Sequence, residues 1–221
     1  MSTAPEIFTL IQNRNVKGVE DFVSHETRVI NSLCVDGHSP IIFAKYQQLS
    51  ELVDIIMKSQ SEMALSLGDA AALGKVDRLR ELIALDPEQM DDDVYEGMTA
   101  LHLAARFGHS DAVELLLEHG ASPTMRAKNE TRALPLHCAV MGGDAETVEL
   151  LLEAEMLADA QDGSGRTPVH YATTEEKGTI LQILLKYGGN PETLSFDGLT
   201  PTELASEKML RIFRGTNKVF L

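Results

Sequence analysis

Apolar residues along this chain come in short bursts separated by polar, glycine-bearing stretches. Leu79, Leu82 and Ile83 keep three- and four-residue spacing, and Val113, Leu115, Leu116 and Leu117 make a denser burst. Val148 with Leu150, Leu151 and Leu152 repeats that burst, and Ile180 with Ile183, Leu184 and Leu185 repeats it again. Such spacing puts the apolar side chains on one face of a helix. A smaller, alanine-bearing burst precedes each of the last three: Leu101 to Ala105, Leu136 to Ala139 and Val169 to Ala172. Thr167-Pro168 and Thr200-Pro201 open such segments, with threonine placed to cap a helix and proline early, where its missing N–H costs nothing. Glycine after the leucine-rich burst, as at Gly120, supplies a left-handed cap. The pattern predicts pairs of short helices.

These pairs recur at a fixed period. Thr99-Ala100-Leu101-His102-Leu103-Ala104-Ala105 is followed by Leu134-Pro135-Leu136-His137-Cys138-Ala139, Thr167-Pro168-Val169-His170-Tyr171-Ala172 and Thr200-Pro201-Thr202-Glu203-Leu204-Ala205. The intervals between Ala104, Ala139, Ala172 and Ala205 are 35, 33 and 33 residues. The segments resemble the ankyrin repeat, whose signature is T-P-L-H-x-A on a period of about 33. Gly108-His109, Gly143-Asp144 and Gly120-Ala121 match further parts of that family's unit. The resemblance implies an all-α solenoid of about six helix-turn-helix repeats joined by β-hairpin-like fingers, with atypical terminal units.

Upstream the motif is degenerate. Ser39-Pro40-Ile41-Ile42-Phe43-Ala44 carries Ile42 in the histidine slot, and Leu67 to Gly74 reads as the next unit with Ala70 in the alanine slot. Ala70 follows Ala44 by only 26 residues, so the connection from Lys58 to Ala64 is expected to lack a full finger. Phe8 to Asn15 and Val19 to Val23 fit a capping unit, with Ile11 in the alanine slot 33 residues before Ala44. The expected organisation is one domain over 1–221: an amino-terminal cap (1–33), degenerate repeats (34–61 and 62–93), clear repeats (94–128, 129–161 and 162–194) and a carboxy-terminal cap (195–221). Asp86 to Asp93 is expected to be a solvated loop.

Composition narrows the function. Nineteen Lys and Arg against 34 Asp and Glu give a formal charge of −15. Binding of nucleic acid or of anionic membrane runs on clustered cations, so neither is expected as a partner. No apolar run reaches transmembrane or signal-peptide length, and a cytoplasmic protein is expected. Cys34 and Cys138 stand too far apart in sequence, in dissimilar settings, to suggest a disulfide framework, and are read as free thiols.

Seven histidines raise the question of a metal. His102, His137 and His170 share one repeat position, and successive repeats pack roughly 10 Å apart, too far for one ion held at about 2 Å per bond. The ankyrin resemblance gives this histidine a structural role, hydrogen-bonded to loop backbone, and His109 matches the family's second histidine. His25, His38 and His119 are read as surface residues. Cys138 follows His137 directly, yet adjacent helix positions diverge by about 100°, poor geometry for a thiol and its base. Gly142-Gly143-Asp144 and Asp162-Gly163-Ser164-Gly165 lack the strand and the Lys-Ser/Thr of a phosphate loop. No acid, base and nucleophile assemble, so neither enzymatic activity nor a metal or other cofactor is expected.

The ankyrin resemblance instead implies binding of another protein in the concave groove, by residues at the finger tips and on the exposed side of the first helix. Tyr95, Glu96, Met98, Arg106 and Phe107 occupy those slots in one repeat, Met141 with Gly142 in the next, Arg166 with Ser164 in the third, and Tyr46 upstream together with Asp36, His38, Gln47, Ala72 and Leu73. Tyr95, Met98, Arg106, Phe107 and Met141 are of types enriched at interfaces and are expected to be exposed. Two uses fit: an adaptor, scaffold or inhibitor, or an accessory subunit that holds a partner enzyme. The net charge suggests a partner with a basic or apolar patch, met by a monomeric chain.

Overall fold

The computed structural model describes residues 4–25, 39–59, 64–154 and 156–216. Among the described residues, fourteen α-helices follow one another in pairs. They are α1 (Ala4–Gln12) with α2 (Val16–His25), α3 (Pro40–Tyr46) with α4 (Ser50–Ser59), α5 (Leu67–Leu73) with α6 (Val76–Leu85), and α7 (Ala100–Arg106) with α8 (Ser110–Glu118). Then come α9 (Pro135–Gly142) with α10 (Ala145–Glu153), α11 (Pro168–Thr174) with α12 (Gly178–Lys186), and α13 (Pro201–Leu204) with α14 (Glu207–Thr216). The architecture is the expected all-α solenoid. Among the described residues its pairs number seven, the last made by α14 with the one-turn α13, which opens on Thr200 and Pro201.

In each pair the first helix is the inner one and the second the outer, and local chemistry starts the inner helices. Proline occupies the first turn of α3, α9, α11 and α13, where no hydrogen bond is lost. Ser66 caps α5, accepting from the Asp69 backbone while the Asp69 carboxylate accepts from the Ser66 backbone, a reciprocal cap. This cap fixes the register of the degenerate repeat. Ser66 and Asp69 stand where Thr99 and His102 stand one repeat on, so Ala71, not Ala70, is the counterpart of Ala104, and their interval is 33 residues.

Ala44, Ala71, Ala104, Ala139 and Ala172 are fully buried, and this row of small side chains lets inner helices approach closely. Leu52, Leu79, Leu116, Leu151 and Leu184 of the outer helices fill the space behind them. Close approach of α7 and α9 is exacting at Gly142, where an added Cβ would lie 2.5 Å from the Arg106 carbonyl oxygen.

Fingers connect the pairs without forming strands among the described residues; one isolated bridge joins Tyr95 and Met98. Glu96 and Gly97 both adopt positive φ, 45° and 77°, the geometry of a tight primed turn. Successive fingers are tied by backbone bonds from Lys128 to Gly97 (2.8 Å), Gly163 to Thr131 (2.7 Å) and Phe196 to Ser164 (3.0 Å). Residues 86–93 are more ordered than the solvated loop expected from their charge. Pro87–Asp91 forms a 3-10 turn with Met90 buried, and the Asp91 carboxylate accepts from the Ser122 backbone at 2.9 Å. Residues 60–63 of the connection expected to lack a finger, as well as Cys34, Asp36 and His38, lie outside the described residues.

Candidate functional site: an aromatic and cationic patch at the inner-helix ends

The three histidines of the motif are spent on structure. The Nδ1 atoms of His102, His137 and His170 accept from the backbone N–H of Thr99 (3.2 Å), Leu134 (3.2 Å) and Thr167 (3.0 Å). That fixes the proton on Nε2, which donates to the carbonyl of Ala133, Arg166 or Leu199, each at 3.1 Å. Each ring therefore ties a helix start to the next finger. Burial disfavours the imidazolium and holds His102 and His137 down at about 4, with His170 lowered for the same main reason. Burial also pushes the Cys138 thiol up to about 12, far from the thiolate a nucleophile requires.

Near the carboxy-terminal ends of α3, α7 and α9 the side chains make a different arrangement. The Tyr46 ring stacks on Tyr95 (centroids 5.4 Å apart, 15° between planes) and meets Phe107 edge-on at 5.1 Å. The Tyr46 hydroxyl donates to the Met98 sulfur at 3.5 Å. Arg106 lies over the Tyr46 ring at 5.8 Å, and Lys45 over the Phe107 ring at 4.6 Å. Both distances are within cation–π range. An Arg106 N–H donates to the Met141 carbonyl at 3.3 Å, and the Lys177 ammonium donates to the Val140 and Met141 carbonyls at 2.7 Å. Cations here satisfy the last carbonyls of α9 and complement its dipole.

Five of the residues picked out in the sequence therefore meet: Tyr46, Tyr95, Met98, Arg106 and Phe107. Met141 joins them through its backbone. Tyr95 and Met98 need correcting, since they are only 3% and 7% exposed. The finger folds them inward against Tyr46, and they support the patch instead of offering contact surface. Glu96 is exposed at the finger tip. Arg166 stands apart in the finger before α11, with its guanidinium 3.9 Å from Asp197.

Sequence reasoning missed Lys45. It takes the slot held by Ala105, Val140 and Thr173 in later repeats, and a lysine among small or apolar residues was the available signal. Tyr46 and Lys45 reach from α3 to α7 past α5, whose Ala70, Ala71 and Ala72 are small and fully buried.

This fold is matched by the family model for ankyrin repeats (3 copies), over residues 7–127, 67–162 and 125–195. The chain belongs to the ankyrin repeat family, whose repeats are generally protein-interaction modules. It is 38% identical over 128 residues to human transient receptor potential cation channel subfamily A member 1, covering 55% of this chain and 11% of that protein. It is 35% identical over 136 residues to human SH3 and multiple ankyrin repeat domains protein 2, covering 58% of this chain and 7% of that one. The chain thus spans only a small part of these two relatives. The probable 26S proteasome regulatory subunit p28 of Saccharomyces cerevisiae matches end to end, at 23% identity over 96% of this chain and 98% of its own length. No helix among the described residues is long and apolar enough to cross a membrane.

Proposed function

We propose that this chain is a non-enzymatic interaction module, an adaptor, scaffold or inhibitor, that holds a protein partner in its concave groove. The patch built on Tyr46, Arg106 and Phe107 carries this reading. Their side chains are partly exposed, of types that anchor interfaces, and backed by buried Tyr95 and Met98. Glu96 and Met141 flank the patch, and Arg166 extends the same groove toward the later repeats. In this reading the chain is a cytoplasmic monomer that meets a basic or apolar surface on its partner. The likeness to p28 along both whole lengths favours a second reading, an accessory subunit that holds a partner enzyme.

The test is quantitative affinity capture from a native extract with three baits. Arg106→Ala combined with Phe107→Ala is expected to weaken capture about thirtyfold, the loss of roughly 2 kcal/mol typical of an interface anchor. Glu114→Lys on the exposed side of outer helix α8 is expected to leave it nearly intact. The reverse result would place the partner on the convex face.

A further inference from the structure

We propose that the surface between Lys45 and Arg106 docks a carboxylate-bearing side chain of a protein partner, seated beside an apolar or aromatic side chain that packs on Tyr46 and Phe107. The proposal rests on the groove reading above and gives it a chemistry. In a chain of net charge −15, these two cations are partly buried and, among the described residues, have no carboxylate partner. Other basic residues do find one: Arg78 pairs with Glu81, Lys177 with Glu175 and Arg166 with Asp197. Asp54 borders the same hollow as Lys45 without pairing with it.

His109 Nε2 is 2.9 Å from the Ala72 carbonyl and 3.2 Å from the Lys45 ammonium. One ring nitrogen cannot serve both as donor and acceptor. If it donates to Ala72, the Lys45 ammonium faces an N–H and is left with the Phe107 ring. If it accepts from Lys45, the Ala72 carbonyl loses its bond. One group is short of a partner in either tautomer, and a carboxylate oxygen accepting from Lys45 would leave the His109 N–H to the Ala72 carbonyl, so that both groups are bonded. Burial alone already holds the Lys45 ammonium down at about 8, as expected of a cation without a counter-charge. Arg106 offers five N–H donors, and among the described residues one of them meets a protein acceptor, the Met141 carbonyl. The two cations flank aromatic faces, so the site selects charge and apolar bulk together. Its local sign opposes the net charge of the chain, and short-range contacts rather than the distant field decide an anchor in a partly desolvated site.

The experiment pans phage-displayed random dodecapeptides on the full chain. Selected peptides are then synthesised and titrated by fluorescence anisotropy against wild type, Lys45→Met, Arg106→Gln, Phe107→Ala and Glu114→Lys. Asp and Glu are expected to be enriched over the unselected library. Changing the selected acid to its amide should weaken binding about tenfold, in line with a charge-assisted hydrogen bond. Lys45→Met and Arg106→Gln should cost a similar factor and Glu114→Lys little. The amide change is made in the peptide, so it reads the charge without touching the fold. Binders that respond to Phe107→Ala but show neither acid enrichment nor loss with Lys45→Met and Arg106→Gln would overturn the carboxylate and leave the groove reading standing. Binders indifferent to Phe107→Ala, or no binders at all, would overturn both.

Discussion

The hydroxyl of Thr147 is buried in α10 without a hydrogen-bond partner among the described residues, although the residue's own N–H is capped by Asp144 at 2.8 Å. Valine keeps the branched shape and removes the orphaned group, whose burial costs energy without return. Thr147→Val is expected to stabilise the protein by about 1 kcal/mol, read as a higher urea midpoint with unchanged slope; a lower midpoint would mean that the hydroxyl has a partner. At this scale the sequence was most legible where chemistry is local. The histidine role came from the ankyrin resemblance, and the structure adds a cap that spans only three residues. Tyr95 and Met98 were misjudged because their burial depends on Tyr46, about fifty positions earlier, and no spacing rule reports that contact.

Among elements, the tightest fit is α7 against α9. Gly142 faces the Arg106 and Ala105 carbonyls, and a methyl there would meet rigid backbone at 2.5 and 3.0 Å. Gly142→Ala raises helix propensity, yet the clash should win, at a cost of about 1 to 3 kcal/mol for overpacking. Thermal melts of this variant beside Gly215→Ala, where an added Cβ meets nothing within 4 Å, separate the two effects; equal melting temperatures would refute the close approach. Helix pairs and their period were legible because each repeat restates the same capping and apolar pattern. The register of α5 was one residue off because its alanine run, Ala70 to Ala72, offers three equivalent slots. Only the Ser66–Asp69 cap chooses between them, and an aspartate in a histidine slot is hard to recognise by type.

Across the whole solenoid the motif histidines act as a set, because His102, His137 and His170 each join one repeat to the next finger. Burial lowers all three, with His102 and His137 at about 4. An unfolded histidine takes up its proton near pH 6.5. Between about 6.5 and 4 the unfolded chain therefore binds protons that the folded chain refuses, and stability falls as pH falls through that window. The stabilising interactions are fully present above about 7. By pH 5.0, about 1.5 units into that window, the loss is on the order of 2 kcal/mol for each of the two most shifted rings, from about 1.4 kcal/mol per pH unit. Each of these histidines bridges two adjacent repeats, so protonation at these joints loosens successive interfaces together. Urea midpoints at pH 7.5 and 5.0 should show the drop. His137→Gln keeps a side chain suited to the third helical position and removes the titration, so it should lower stability at pH 7.5 while narrowing the gap between the two midpoints. A variant whose gap equals that of wild type would show that the acid sensitivity arises elsewhere, in the carboxylates that give the chain its charge.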